Sequence, residues 1–534
     1  MAGTVTASAI KIYDCESTTG WTTNKGDVYS GWQREGNYCL GDLVSQTTFH
    51  EIYDYYGQTG SYLNLSGKLL TFWVLVWGDP DTRANGGIRY YLEDATGNAV
   101  ALYVGGKDFP GMWWGAGWQA FAVYMDATYL QDNVTYEQIA GTAFPDLTQI
   151  AKLGPGFKML SKAIGTTPNV FWDVAWAIDF LRITGGTASE PATFGDLASA
   201  DDTNAWGVIT KQEAGLYFIQ GKLIIGDTAS DTYFVDKSVL LVFKDMWVPD
   251  KLYRIEIQRG SANTTVFQLG EKSGESGING VVVRAPSGKT FVLDAYTNYD
   301  VSNMAQGDVG IYGSTFINAG EIKLPDSSYA EVLTSSFISC GMVYAYQATI
   351  KNSNFISAPN RACWIPTNHN LSNSNFISNY VGIYIDTAGE YTLDAVKFTG
   401  NTYDIENASG GAVTIYAMNG SNPTTVLNSV AGSTTDIINT VYVTIYVKDK
   451  NLNPIPNAQV YVYNITDDVE IMNQSTDTNG VAQTTVNYTG DKDLLIRVRK
   501  STPPEERYIP VTTYGTLTSN GFTTTVIMYP DQVL

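Results

Sequence analysis

Ser353-Asn354-Phe355-Ile356-Ser357 is followed by Ser374-Asn375-Phe376-Ile377-Ser378, and the same unit stands earlier as Ser314-Thr315-Phe316-Ile317-Asn318 and Ser335-Ser336-Phe337-Ile338-Ser339. A degenerate copy closes the series at Val396-Lys397-Phe398-Thr399-Gly400. The phenylalanines are 21, 18, 21 and 22 residues apart. A short unit recurring at nearly constant spacing is the mark of a solenoid. Each coil then returns its phenylalanine to one interior column, stacked about 4.8 Å above the last, with the flanking Ser or Asn outward or in turns. The predicted column is Phe316, Phe337, Phe355, Phe376 and Phe398.

A second inward position follows six or seven residues after each phenylalanine, at Ile322, Val343, Ile383 and Ile405, and Gly310-Ile311-Tyr312 recurs as Gly382-Ile383-Tyr384. This is the register of a right-handed parallel β-helix, expected over residues 195–425. Neither a Leu-x-Leu step nor a helical period is present. At roughly 21 residues per coil the region holds about eight to ten coils, a rod of roughly 40 to 45 Å. The coils before residue 290 are less regular, and Lys222-Leu223-Ile224-Ile225-Gly226-Asp227 is expected to begin the first.

Outward from this core, nine of the twelve tryptophans precede residue 180 and set residues 1–190 apart. Leu69 to Trp77, Gly87 to Leu92 and Ala99 to Val104 read as strands between Gly and Asp clusters, as in a sandwich. Pro145 to Leu153 reads as a short helix opened by its proline. Downstream, the Ser/Thr/Asn-rich stretch 426–438 reads as a linker. In the region 439–534, Val441, Val443, Ile445 and Val447 alternate with Tyr442, Thr444 and Tyr446, the pattern of a half-buried strand. The whole chain is expected to be all-β, since Thr, Tyr, Asn, Gly and Val abound and helix-forming periodic stretches are scarce. Its 534 residues set a prior of about three or four domains.

The net charge of -21 with 32 scattered basic residues argues against nucleic acid and anionic membrane as partners. The opening Met1-Ala2-Gly3-Thr4-Val5-Thr6 is not that of a secretory signal, and Leu69 to Trp77 is too short to span a bilayer, so a soluble, cytoplasmically made chain is expected. Cys15, Cys39, Cys340 and Cys363 form no CxxC pair and the histidines are His50 and His369, which argues against zinc and favours free buried thiols. No cofactor or metal is expected.

For chemistry, two carboxylates across a glycosidic bond are the simplest device such a rod could carry. Asp386, Glu390, Asp394, Asp404 and Glu406 lie near the regular coils, but aligning Ile383 with Ile405 puts Glu406 beside Tyr384, and no carboxylate pair stacks there. Lyase chemistry would want calcium-binding acids with an arginine base, and Arg361 is alone among the regular coils. His369 sits in a turn-like stretch, read as a surface loop, and His50 in an aromatic segment, read as packed. No catalytic residue is assigned. Candidates for stacking on a sugar are Trp113, Trp114 and Trp118 in a glycine-rich stretch, with Tyr53, Tyr55 and Tyr56, although such rings also fill sandwich cores.

The start Ser17-Thr18-Thr19-Gly20-Trp21 and the close Asp179-Phe180-Leu181-Arg182-Ile183-Thr184 resemble jelly-roll modules of the carbohydrate-binding and concanavalin-like type. Asn453-Pro454-Ile455-Pro456-Asn457-Ala458-Gln459-Val460 with Thr476-Asp477-Thr478-Asn479-Gly480-Val481-Ala482 resembles carboxypeptidase-regulatory-like and invasin-type immunoglobulin-like modules. A jelly roll, a β-helix and an immunoglobulin-like sandwich in one acidic chain together resemble bacteriophage virion proteins: head decorations, tail fibres and tail spikes. That resemblance implies a structural protein on the virion, a homotrimer, contacts with capsid or tail proteins, and attachment to a host surface or its polysaccharide. The alternatives are a tail-spike depolymerase and a bacterial carbohydrate-binding adhesin.

Overall fold

The computed structural model describes residues 62–70, 89–103, 122–154, 215–219, 221–223, 225, 240–243, 248–262, 264–286, 288–501 and 506–531 in full, with the backbone of strands between them. The chain is all-β: among the described residues the helical elements are the short α-helix Ala127–Asn133 and a single 3-10 turn. No helix among them is long and apolar enough to cross a membrane. The chain divides into two compact units, residues 1–325 with 329–331, and residues 326–328 with 332–534.

The first unit opens with two antiparallel sheets. One runs Gln119–Met125, Lys68–Gly78, Trp172–Thr184, Cys39–Gln46, Asp27–Tyr29; the other runs Tyr136–Ala140, Ala99–Gly105, Gly87–Asp94, Ile150–Met159, Tyr55–Gly57, Trp21–Thr22. The helix expected from Pro145 to Leu153 is absent: Asp94 takes the Asp146 N–H at 3.0 Å, the Asp146 carboxylate turns the chain by accepting from Thr148, and Leu153 pairs with Leu92 in a strand. The helix forms instead after Asp126, whose carboxylate caps the Tyr129 N–H at 2.8 Å.

Parallel ladders follow in the same unit. Leu216–Ile219, Leu240–Phe243, Val282–Arg284 and Thr315–Ile317 pair in turn, as do Thr187–Ser189, Lys222–Ile225, Arg254–Ile257, Phe291–Asp294 and Ala319–Lys323, and Thr232–Val235, Val266–Leu269 and Val309–Tyr312. The parallel pairing thus starts at Thr187, ahead of Lys222 and of the expected boundary at 195. The longer coils here carry excursions such as the hairpin Glu271–Ser273 with Ser276–Ile278, which is why their sequence period is weak.

The second unit holds the regular coils. Each supplies one three-residue strand to a phenylalanine ladder, Ser336–Ile338, Asn354–Ile356, Asn375–Ile377 and Lys397–Thr399. It then supplies a strand to a second ladder, Met342–Tyr344, Arg361–Trp364, Val381–Ile385, Tyr403–Asn407 and Val426–Asn428. A third ladder takes Thr349–Lys351, Asn370–Ser372, Gly389–Asp394, Ala412–Met418 and Thr434–Asp449. Phe337, Phe355, Phe376 and Phe398 are buried and stack face to face at 4.9, 4.5 and 5.3 Å between ring centroids. Phe316, in the first unit, is fully buried and leans on Phe291 at 6.4 Å.

Single residues in the left-handed region bracket the phenylalanine strands: Thr334, Asn352, Asn373 and Ala395 before them, Ser339, Ser357, Ser378 and Gly400 after. These corners turn the chain by one residue each, which a short polar side chain tolerates better than a bulky one. The first serine of each repeat is buried rather than outward. Ser353 Oγ donates to the Lys351 carbonyl at 2.9 Å and accepts the Ser335 N–H at 3.2 Å, and Ser374 Oγ does the same for Ser372 and Ser353. The hydroxyl satisfies backbone groups that a corner would otherwise strand in the interior. On the outer side, Asn375 donates to Asn354 at 2.9 Å, one coil below.

The stretch expected to be a linker is instead the last coil. Val426–Asn428 pairs with Tyr403–Asn407, and Thr434–Asp449 pairs from Thr434 to Thr440 with the coil before it. That same 16-residue strand then pairs antiparallel with Val481–Asn487 and parallel with Phe522–Met528. A four-stranded sheet of Val469–Ser475, Gln459–Asn464, Lys492–Lys500 and Tyr508–Leu517 accompanies it. Val441, Val443, Ile445 and Val447 enter the common core with Val460, Val462, Leu494, Ile496 and Val498. Gly480, at φ +72°, closes the Asp477 turn against the Val447 carbonyl, where a Cβ would lie 2.5 Å from the oxygen.

Candidate binding face

In the second ladder of the second unit, Val343, Cys363, Ile383 and Ile405 stand in register and are fully buried. Strand side chains alternate, so the next residue on each coil points the other way. Those residues are Tyr344, Trp364, Tyr384 and Glu406, also in register. Tyr344, Trp364 and Tyr384 are half-buried, as is Tyr346. The Tyr344 and Trp364 rings lie 6.2 Å apart, and Tyr346 meets Trp364 edge-on at 5.1 Å. Tyr346 holds its ring there from the left-handed region, φ 45°, the one aromatic residue so placed among the described residues. A bulky side chain in that region costs roughly 1–2 kcal/mol.

Arg361 completes the face. Its guanidinium lies 3.9 Å over the Tyr384 ring and reaches past it to Glu406, with Nε to Oε2 at 2.8 Å and Nη2 to Oε1 at 2.6 Å. The Glu406 side chain is 4% exposed and the Arg361 side chain 39%. Burial pushes the Glu406 carboxyl up, but hydrogen bonds from Arg361 and Ser429 and the arginine charge outweigh it and hold it below the usual carboxylate range. The carboxylate holds the Arg361 guanidinium charged, so it is no candidate base.

Of the remaining acids near the coils, Asp404 is buried, Asp394 half-buried, and Asp386 and Glu390 exposed. Asp404 accepts the Thr424 and Thr425 N–H groups at 2.8 and 3.1 Å, Asp394 accepts from Asn419, Glu390 from the Tyr416 hydroxyl and Asp386 from Thr387. His369 directly follows a turn, as expected, but is half-buried rather than fully solvated. Its Nδ1 accepts the Leu371 N–H at 3.1 Å, its ring stacks on Tyr391, and burial pushes its pKa down to about 4. Cys340 and Cys363 are buried and outside any disulfide, and burial pushes the Cys363 thiol up. Among the described residues no group of three or more His, Cys, Asp and Glu could hold a metal ion.

Trp113, Trp114 and Trp118 lie outside the described residues. So do the side chains of Tyr53, Tyr55, Tyr56 and His50, whose backbones form strands. The aromatic face at Tyr344, Trp364 and Tyr384 was missed by sequence reasoning, although the signal was present. Each ring directly follows a residue of the second inward column, and the coil carrying Trp364 was overlooked because Cys363 stands where the other coils have Val or Ile.

No protein-family model matches the chain, and no curated protein matches it. Solved structures with similarity include one titled "Structural analysis of an exo-beta-agarase", 11% identical, with a TM-score of 0.24, covering 33% of this chain and 24% of that one. A likeness of that size carries no argument about activity.

Proposed function

We propose that this chain is a structural component of a phage virion, a capsid decoration, fibre or tail appendage, that is held by one end and mediates attachment to a host surface. The observation that carries the reading is the strand Thr434–Asp449, which belongs both to the last coil and to the terminal sandwich. A shared strand leaves no hinge at that junction, which suits a stiff spacer better than a pair of tethered domains. Two of the five coil carboxylates, Asp404 and Glu406, are buried in hydrogen bonds, the latter with Arg361, which favours this role over polysaccharide cleavage. The reading takes other virion proteins as partners and a homotrimer as the assembly, which light scattering on the purified chain tests. Gold labelling of the C terminus on intact particles tests the location: a label at one defined site supports the reading, and unlabelled particles overturn it.

A further inference from the structure

We infer that the face formed by Tyr344, Tyr346, Trp364 and Tyr384, with Arg361 and Glu406 at its edge, is a binding site for an uncharged glycan. The inference deepens the attachment reading and rests on it only for the biological source of the sugar.

Tyr344, Trp364 and Tyr384 occupy one register position on three consecutive coils, whose strands recur at about 4.8 Å, and the Tyr344 and Trp364 ring centroids lie 6.2 Å apart. Rings so spaced along a ladder can meet successive units of one extended sugar chain. A pyranose has an apolar face that stacks on an aromatic ring and a rim of hydroxyls that needs partners.

The rim can be met here. Two N–H bonds of Arg361 are given to Glu406, and the three that remain have no acceptor among the described residues. Arg361 and Glu406 cancel in charge, and Arg361 carries hydrogen-bonding capacity toward hydroxyls. The Tyr384 ring lies beneath the guanidinium and so positions Arg361, while stacking falls to Tyr344, Tyr346 and Trp364.

A second copy of the chain fits this face less well. Four rings of about 150–250 Å² each, no more than about a third open, present about 200–300 Å². A stable protein interface takes about 800 Å² from each partner. An anionic polysaccharide is disfavoured by the net charge of -21.

The test is titration of the full chain, by calorimetry and by quenching of intrinsic fluorescence, with hexamers of glucose, galactose, mannose and N-acetylglucosamine. At least one hexamer should bind, Trp364→Ala and Tyr384→Ala should each weaken it tenfold or more, and Tyr514→Ala, at an exposed tyrosine of the terminal sandwich, should leave it unchanged. Where Trp364→Ala lowers the melting temperature, Tyr384→Leu, which keeps apolar bulk but no ring, carries the same expectation. Absence of binding by all four hexamers overturns the inference, as does binding that survives both ring substitutions. Self-association that Trp364→Ala abolishes also overturns it, by making the face a contact between copies. A chain found on virions that binds no hexamer defeats this inference alone, and a chain that binds a hexamer but is absent from virions defeats the attachment reading alone.

Discussion

Arg361 and Glu406 stand two coils apart and are joined across the intervening Tyr384 by two hydrogen bonds of 2.8 and 2.6 Å. The pair ties three successive turns of the chain from outside, as the phenylalanine stack ties them from within. Removing the arginine leaves a buried carboxylate without its counter-charge. Such truncations cost about 3 kcal/mol or more, whereas replacing both partners by apolar groups is far milder. Arg361→Ala should therefore lower the urea midpoint of the second unit markedly, and Arg361→Met with Glu406→Leu should recover most of it. Because the Glu406 pKa is depressed on folding, the pair's stabilisation is present above the ordinary glutamate value of 4.5 and is lost as pH falls below it. Equal midpoints for the single and double variants would contradict this account.

His369 predicts a separate pH window. The unfolded histidine takes up a proton near 6.5, while the folded one resists until about 4. Stability from this residue is complete above 6.5, declines as pH falls toward 4, and declines no further below that. Melting temperatures measured from pH 7.5 to 4 should fall less steeply for His369→Gln than for the wild type. Parallel curves would show that the ring is not desolvated.

Thr334 is a β-branched residue at φ 53°, at a corner where other coils place Asn352 and Asn373. Thr334→Asn and Thr334→Gly should each stabilise by about 1 kcal/mol, because the native backbone there suits them better. A lowered melting temperature in both would mean that the threonine side chain contributes more than the strain it brings.

Phe355 stacks on Phe376 at 4.5 Å with the rings 3° from parallel. Phe355→Ala should cost about 3–5 kcal/mol through lost burial and a cavity, and Phe355→Asp should abolish folding or assembly. A Phe355→Asp protein with an unchanged melting temperature would refute the interior column.

Much of this fold was legible because its period was carried by large residues. Phe337, Phe355, Phe376 and Phe398 recur at the same register, and pairing Ile383 with Ile405 from the sequence places Glu406 opposite Tyr384, as in the structure. The stretch 426–438 was misread for a physical reason. Coil strands of three residues joined by Asn, Ser and Gly corners have the composition of a linker, and only pairing with the neighbouring coil separates the two. The buried serines were misread likewise, since a hydroxyl that satisfies backbone inside a corner looks polar and therefore outward. The Arg361 pair joins residues 45 positions apart across an intermediate coil, a relationship that spacing within one repeat does not reveal.

The most direct test of the central proposal is quantitative mass spectrometry of virions banded on a density gradient from an infected culture that encodes this chain. The account predicts peptides from the coils and the terminal sandwich in a fixed ratio to the major capsid protein through repeated banding. Loss of those peptides from the particles, with the chain recovered only in the soluble fraction, would contradict it.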